Sequence, residues 1–594
     1  MPTLTGGQIV AQTLRNYGVE YVAGIPGHGI WSLTDAFLDD PGRIPFVQTY
    51  HEQSAVHLAD GYYRATGRPM AAVTSIGAGA SNTVIGMGTA FTDSTSVLVI
   101  TGGPPTHMRG HGLLQELDRY TANDFPKVAE AVTKRHWVAT RVEELPFILH
   151  RSFNSMLTGR PGPVHVEVPM DVQAESADVE LHDLARRVPV GRPHPDPVAI
   201  ERAAGVLRAA TRPVIVVGGG AISSDAAGAV LALAERWSVP VVTTWNGKGG
   251  FPEDHPLFAG SVGQTGTVVG NRIAASADVV VAVGCRFTDW SSSSYARGVS
   301  FSIPPAKLIH IDVDPHEIGK NYPAEVGIVA DAQRAVTALT DALSGTPHRA
   351  DYLAELQELR QQWEDTLAER RDSQRFPFTS QRPLGALRAV LPRDAIIVAG
   401  SGNTQGAVKQ TFPVYEPRTH LTSGGFSSMG WAVPAAVGAK LGRPDRVVAC
   451  VLGDGDFLMT AQEIALAVTA DAPVVFVVQN NAGYMSIRGG QRKQTSRHIG
   501  TEFNRPDGTP YSPDFAALGA AFGIESWKVS EPGSLEPTLR KAVESGAPAL
   551  VEVPTDRDAA GPWVPGWWDF PVPAYIRDER QDEYHRIRAT EQHL

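Results

Sequence analysis

Two cysteines in 594 residues, Cys285 and Cys450, exclude a disulfide-stapled secreted scaffold and a four-cysteine zinc or iron–sulfur site. Positive charge is not in excess either. Lys and Arg number 52 against 63 Asp and Glu, a formal net charge of −11, which argues against a nucleic-acid coat. No clean apolar run approaches the roughly 18 residues of a membrane span; the longest candidates, such as Val214–Gly220 and Val474–Val478, have strand lengths, so no membrane partner is expected. The opening residues MPTLTGGQIVAQTLRNYG lack the basic start and apolar core of a signal peptide, and a cytoplasmic location is the expectation.

What is present is glycine, at 59 residues, and a steady alternation of short β-branched runs with longer helical patterns. Near the start, strands are expected at Tyr21–Gly24, Ile44–Gln48, Ala71–Ser75, Ser96–Thr101 and Val164–Val168, with an Ala-rich helix over His51–Thr66. Near-continuous apolar strands argue for parallel sheet covered on both faces. The fold class is therefore α/β, with three doubly wound parallel-sheet domains. The expected boundaries are residues 1–180, 195–345 and 375–555, with a linker over Gln173–Pro195. Residues 556–594 form an aromatic, proline-rich tail.

The strongest local signal lies in the third unit. A hydrophobic strand ends in Gly453-Asp454-Gly455-Asp456-Phe457, and a helix over Thr460–Val468 is expected after it. Glycines let a backbone approach a ligand, a helix N-terminus favours an anion, and Asp454 is a hard oxygen ligand for magnesium or calcium. A second strand, Val474–Gln479, ends in Asn480-Asn481-Ala482-Gly483-Tyr484, which would set Asp454 and Asn481 at one sheet edge.

This spacing resembles the signature of the thiamine-diphosphate-dependent superfamily, which includes acetolactate synthase, pyruvate decarboxylase, benzaldehyde lyase and 2-hydroxyacyl-CoA lyase. The resemblance covers nearly the whole chain as pyrimidine-binding, central and diphosphate-binding domains. It implies that Asp454 and Asn481 through their side chains and Gly483 through its carbonyl hold Mg²⁺, with Gly453, Gly455, Asp456, Phe457 and Tyr484 at the cofactor. Tyr50-His51-Glu52-Gln53 resembles the family's catalytic element, in which Glu52 would act on the aminopyrimidine. Ser423–Trp431 resembles the segment that places Met429 as a wedge between the cofactor's rings, with the Gly425 carbonyl at the 4′-amino group. Gly402, Asn403 and Thr404 resemble the loop that touches the diphosphate.

On the substrate side, Gly27 belongs to a Pro-Gly loop that resembles the family's strand-end element. His28 after it is either a proton shuttle, histidine exchanging protons near neutrality, or a solvated turn residue. Gln115 resembles a donor-binding glutamine, with Leu114 where relatives carry an aromatic. Ser486, Ile487 and Arg488 resemble the synthase stretch; Arg488 is either a carboxylate or phosphate clamp or an ordinary ion-pair partner. Trp567 and Trp568 lie in a tail that must pack on something. It acts as a lid over the cleft, a subunit contact or a core extension.

The resemblance implies an acetolactate-synthase-like carboligase or lyase working through a C2-ylid and an enamine/carbanion. A 2-hydroxyacyl-CoA lyase and a cyclic 1,2-dione hydrolase stand as alternatives. Its substrate would be a 2-oxo acid, a 2-hydroxyacyl-CoA or an acyloin. It further implies a homodimer or homotetramer with active sites between subunits, and FAD, ADP, CoA or nothing in the central domain. Gly218–Gly220 lacks the dinucleotide spacing and reads as a structural turn.

Overall fold

The computed structural model describes residues 2–39, 42–118, 124–189, 191–345, 347 and 349–591. The last three residues of the tail lie outside that set. Its framework is three six-stranded, all-parallel sheets with helices on both faces. The central strands, such as Val97–Gly103, Val279–Val283 and Val474–Asn480, are almost wholly buried, in keeping with their apolar runs.

The N-terminal sheet has the spatial order Phe46–Gln48, Val22–Ile25, Met70–Thr74, Val97–Gly103, Val164–Pro169, Arg135–Val138. The C-terminal sheet runs His420–Thr422, Ile396–Ala399, Val448–Gly453, Val474–Asn480, Ala549–Pro554, Glu525–Lys528. Numbered within each unit, both read 2-1-3-4-6-5, so the two units share one topology. The central sheet differs: Phe258–Ser261, Val241–Thr243, Pro213–Val217, Val279–Val283, Lys307–Asp312, Val326–Val329 reads 3-2-1-4-5-6.

The two like units pack through equivalent helices, each following its unit's second strand. Helix Glu52–Thr66 lies on helix Ala432–Gly442, and the contact is reciprocal: a Cβ on Gly61 would collide with the Ala435 carbonyl, and one on Gly438 with that of Leu58. Backbones this close leave room for glycine alone. Beside this seam the fully buried Trp431 donates its Nε1–H to Asp60 Oδ2 at 2.6 Å.

Two local expectations differ from the structure. Within the expected linker, Ser176–Asp178 pairs antiparallel with Thr3–Thr5, and Val179 and Val188 join the N-terminal core. The partner strand is the chain's own start, more than 170 residues away, which no local pattern reveals. The single helix expected over Thr460–Val468 is divided into a 3-10 turn, Ala461–Ile464, and a short helix, Ala465–Thr469. Thr460 has non-helical φ −142° and ψ 32°, and the buried Glu463 carboxylate accepts the Tyr50 N–H at 3.2 Å from the other unit.

Candidate active site

In open α/β sheets, ligands bind beyond the strands' carboxyl ends, where the strand order reverses. In both like units that point lies between the first and third strands, and the singled-out residues collect there.

In the N-terminal unit, Gly27 and His28 follow the first strand and Ser75–Gly79 the third. Ser75 Oγ accepts the Gly29 N–H at 3.2 Å, and a Cβ on Gly27 would stand 2.5 Å from that oxygen. Glu52 opens the next helix, behind the His51 cap. Its Oε2 accepts from Asn82 Nδ2 at 2.8 Å, and its Oε1 lies 3.1 Å from where a Cβ on Gly79 would be. The Gln115 backbone, left-handed at φ 65°, closes on Gly77. Glu52, Gly27, His28 and Gln115 are thus brought to one sheet edge. His28 Nε2 is buried without a partner, whereas Leu114 is 73% exposed.

In the C-terminal unit, Gly402 follows the first strand with φ 85° and starts helix Asn403–Thr411. Strand Val448–Gly453 delivers Asp454, and strand Val474–Asn480 delivers Asn481 and Gly483. The Gly483 N–H donates to Asp454 Oδ2 at 3.1 Å. Asp454 Oδ1 and Asn481 Oδ1 are both buried without a hydrogen-bond partner. Burial pushes the Asp454 carboxyl up to about 6, opposed by backbone N–H groups of Gly455, Gly483 and Ala482. Two orphaned oxygen acceptors on adjacent strand ends suit a hard divalent cation, which would satisfy both and favour the ionised carboxylate. Among the described residues there is no group of three or more His, Cys, Asp or Glu that could hold a metal ion. Tyr484 covers the turn: a Cβ on Gly455 would stand 2.5 Å from its ring, which packs edge-on against Phe503. Thr404 is buried and Met429 half-buried near this edge.

The side chains of Asp456 and Phe457 are engaged in the frame. Asp456 accepts the N–H groups of Ser401 at 2.7 Å and Gly430 at 2.5 Å, locking two loops together, and Phe457 is fully buried against Phe515. Arg488 likewise has no free fork. It pairs with Glu502 at 2.7 Å and Asp558 at 2.6 Å and donates to the Arg557 carbonyl at 2.7 Å.

A cavity of about 1730 Å³ opens at the central sheet's switch point, between Gly218–Gly220 and Gly284–Asp289. Its wall continues through Gly402, Asn403, Gly425, Ser486 and Ile487 to Trp563, Trp567 and Trp568 of the tail. Gly218–Gly220 is a close crossing: a Cβ on Gly218 would collide with the Gly284 carbonyl. The tail lies along the central unit and helix Met485–Thr495. Asn271 Nδ2 donates to the Pro565 carbonyl at 2.6 Å, the Asp569 N–H to Ser294 Oγ at 2.9 Å, and Trp568 stacks edge-on on Trp290 at 5.0 Å. Trp567 is tied to Glu591 at 2.7 Å. Neither Glu52, His28 and Gln115 nor Asp454, Asn481 and Gly483 line this cavity.

Sequence reasoning did not find Asn82, Ser75 or Asp93. Asn82 meets Glu52 from thirty residues away. Asp93, from the N-terminal unit, joins Asn246 of the central unit and Gly425 N–H of the C-terminal unit. Nothing in the neighbouring residues signals either contact. Among the described residues, no helix is long and apolar enough to cross a membrane.

Sequence models of thiamine pyrophosphate enzymes match the chain in three stretches. These are the N-terminal TPP binding domain over residues 4–122, the central domain over 200–339 and the C-terminal TPP binding domain over 400–553. A probable acetolactate synthase large subunit of Methanocaldococcus jannaschii is 34% identical over 580 residues, covering 95% of this chain and 94% of its own. The acetolactate synthase large subunit of Haemophilus influenzae is 32% identical over 550 residues, 91% of this chain and 92% of its own. The isozyme 3 large subunit of the same enzyme from Escherichia coli is 32% identical over 556 residues, 92% and 93% respectively.

Proposed function

Since the chain belongs to the thiamine pyrophosphate enzyme family, as an acetolactate-synthase-like member, we propose that it is a carboligase that joins 2-oxo acid units with thiamine diphosphate and Mg²⁺. The observation that carries this is the pair of buried, partnerless oxygens on Asp454 and Asn481. They stand at the strand ends of a unit matched as a TPP binding domain. The relatives' identity as acetolactate synthases favours this reading over the 2-hydroxyacyl-CoA lyase and cyclic-dione hydrolase alternatives.

Bound thiamine diphosphate supplies a nucleophilic carbon and an electron sink for chemistry next to a carbonyl. The chain's own residues do the rest. Asp454, Asn481 and the Gly483 carbonyl would hold a divalent cation beside the diphosphate, and the Gly402–Thr404 helix start would offer the diphosphate backbone N–H groups. Tyr484 packs over the Gly455 turn and keeps water from it. Glu52, held by Asn82, presents a carboxylate that would exchange a proton with the aminopyrimidine ring of the bound cofactor. His28 Nε2 and the Gln115 side chain serve the substrate oxygens.

The working unit is a homodimer or higher homo-oligomer in which the Glu52 edge of one copy faces the Asp454 edge of another. Support comes from large apolar side chains left in water near both edges, Tyr50 at 46%, Phe426 at 44% and Met459 at 48% exposed.

The test is incubation of the full chain with pyruvate, Mg²⁺ and thiamine diphosphate, with products followed by NMR. Acetolactate is the expected product. Acetaldehyde alone, or no turnover of pyruvate by cofactor-loaded protein, overturns the reading.

A further inference from the structure

Just past the last core strand, Ala549–Pro554, the chain turns back over the loop that carries Asn481 and Gly483. Arg557 is the residue that reaches it. Its Nη2 donates to the Ala482 carbonyl at 2.8 Å and its Nε to the Asn481 carbonyl at 3.3 Å. These carbonyls flank the two positions that matter: Asn481, whose Oδ1 is buried without a partner, and Gly483, whose N–H is bound to Asp454.

The loop needs such support. Ala482 sits at φ 55°, a left-handed conformation that a residue with a Cβ adopts only when its surroundings hold it there. Its carbonyl also accepts the Phe503 N–H at 2.9 Å, so two donors converge on one oxygen. Arg557 is itself fixed. Its carbonyl accepts from Arg488 Nη1 at 2.7 Å, and its Nη1 lies 3.4 Å from Asn504 Oδ1 and 3.9 Å from Glu502. The nearby Glu502 carboxylate offsets a positive charge that would otherwise oppose a cation.

We propose that Arg557 is a positioning residue for the divalent cation: by bridging the Asn481 and Ala482 carbonyls it fixes the backbone from which Asn481 presents its side-chain oxygen beside Asp454, and so strengthens cation binding. This rests on the cation role of Asp454 and Asn481 argued above. The start of the tail thereby serves the metal edge, while its tryptophans wall the cavity.

Manganese(II) is the probe, with free ion counted by electron paramagnetic resonance as it is titrated into the full-length, cofactor-free protein in the presence of thiamine diphosphate. Arg557→Ala is expected to bind at least about tenfold more weakly, the scale on which groups that orient metal ligands act, with a cofactor-free melting temperature within about two degrees of wild type. Arg557→Lys, which keeps the charge and one donor, recovers part of the loss. Asp558→Ala cuts only the tether to Arg488 and Arg492 and is expected to bind as wild type does. Unchanged affinity in Arg557→Ala overturns the proposal, as does an equal loss in Asp558→Ala. Should Arg557→Ala fail to fold, Arg557→Lys decides, with a several-fold loss expected and none overturning it. Asp454→Asn separates the two levels. If wild type takes up no manganese, or Asp454→Asn binds it equally well, the site reading falls; if only Asp454→Asn loses affinity, the role of Arg557 alone falls.

Discussion

The carboxylate of Asp93 fills the space that a side chain on Gly424 would need, and Gly424 holds φ 58° to let it in. The Asp93 side chain is fully buried and accepts from Arg64 Nη2 at 3.1 Å, Asn246 Nδ2 at 2.9 Å and the Gly425 N–H at 3.2 Å, so all three units meet on it. Arg64, in turn, is held charged by Asp60 and Asp93 despite burial, its guanidinium pushed above the usual range.

Removing that charge in place is therefore expected to loosen the junction. Asp93→Asn keeps the shape but turns an N–H₂ toward groups that are all donors, and breaking a buried ion pair of this kind costs about 3 kcal/mol or more. Gly424→Ala puts a methyl into the carboxylate and should do comparable harm. Both are read as lowered melting temperature of the cofactor-free protein, against Asp445→Ala, an exposed pair with Arg443, as a control expected to change little.

The seam between the like units gives a second expectation. Gly61 lies against the Ala435 carbonyl with no room for a Cβ, in backbone that cannot shift without moving both helices. Gly61→Val should destabilise by about 3 kcal/mol or more, whereas Gly489→Ala, on an open helix surface, should be neutral or slightly stabilising. Chemical denaturation of the two variants side by side measures the difference. A Gly61→Val protein as stable as wild type would show that the helices are not in contact.

How far these features were legible in the sequence depends on the distance between partners. The sheets were legible because the bodies of the central strands, residues 97–100, 448–452 and 474–478, are buried and apolar. The Asp454 and Asn481 edge was legible because each follows its strand directly. The strand pairing of Thr3–Thr5 with Ser176–Asp178, the Asn82 bond to Glu52 and the Asp93 junction were not. Each is a polar contact between distant stretches, and the residues themselves carry ordinary turn or helix chemistry. The commitment of Arg488 to Glu502 and Asp558 was hidden for the same reason.

Acidity supplies a third expectation. His57 is fully buried with both ring nitrogens unpartnered, and burial holds its imidazole down at about 4. Between about pH 4 and 6.5 the unfolded chain carries this proton and the folded one does not, so its contribution to stability falls as pH falls through that window. Buried Asp312, Asp454 and Asp456, pushed up to about 6, and Glu463, pushed up to about 7, act in the opposite sense, so the total slope is not diagnostic. The difference is. On going from about pH 7 to about pH 5, His57→Gln should gain about 2 kcal/mol relative to wild type. Urea denaturation at both values tests it, and parallel losses in the two proteins would mean that His57 takes up its proton in the fold.

Asn82 and Glu52 give the last expectation, which bears on catalysis. The amide donates to Glu52 Oε2 at 2.8 Å, while Oε1 lies free of that bond, toward Gly79. The bond fixes the carboxylate's rotation. Asn82→Ala removes a group that acts through Glu52 and should leave the 2-oxo acid binding surface intact. Its kcat is expected to fall by roughly ten- to a hundred-fold with KM little changed. Glu52→Gln should lose roughly a thousand-fold or more, and adding Asn82→Ala to it should cost nothing further, because the positioning residue then has no carboxylate to position. A full additional loss in the double variant would assign Asn82 a contact of its own with substrate or cofactor.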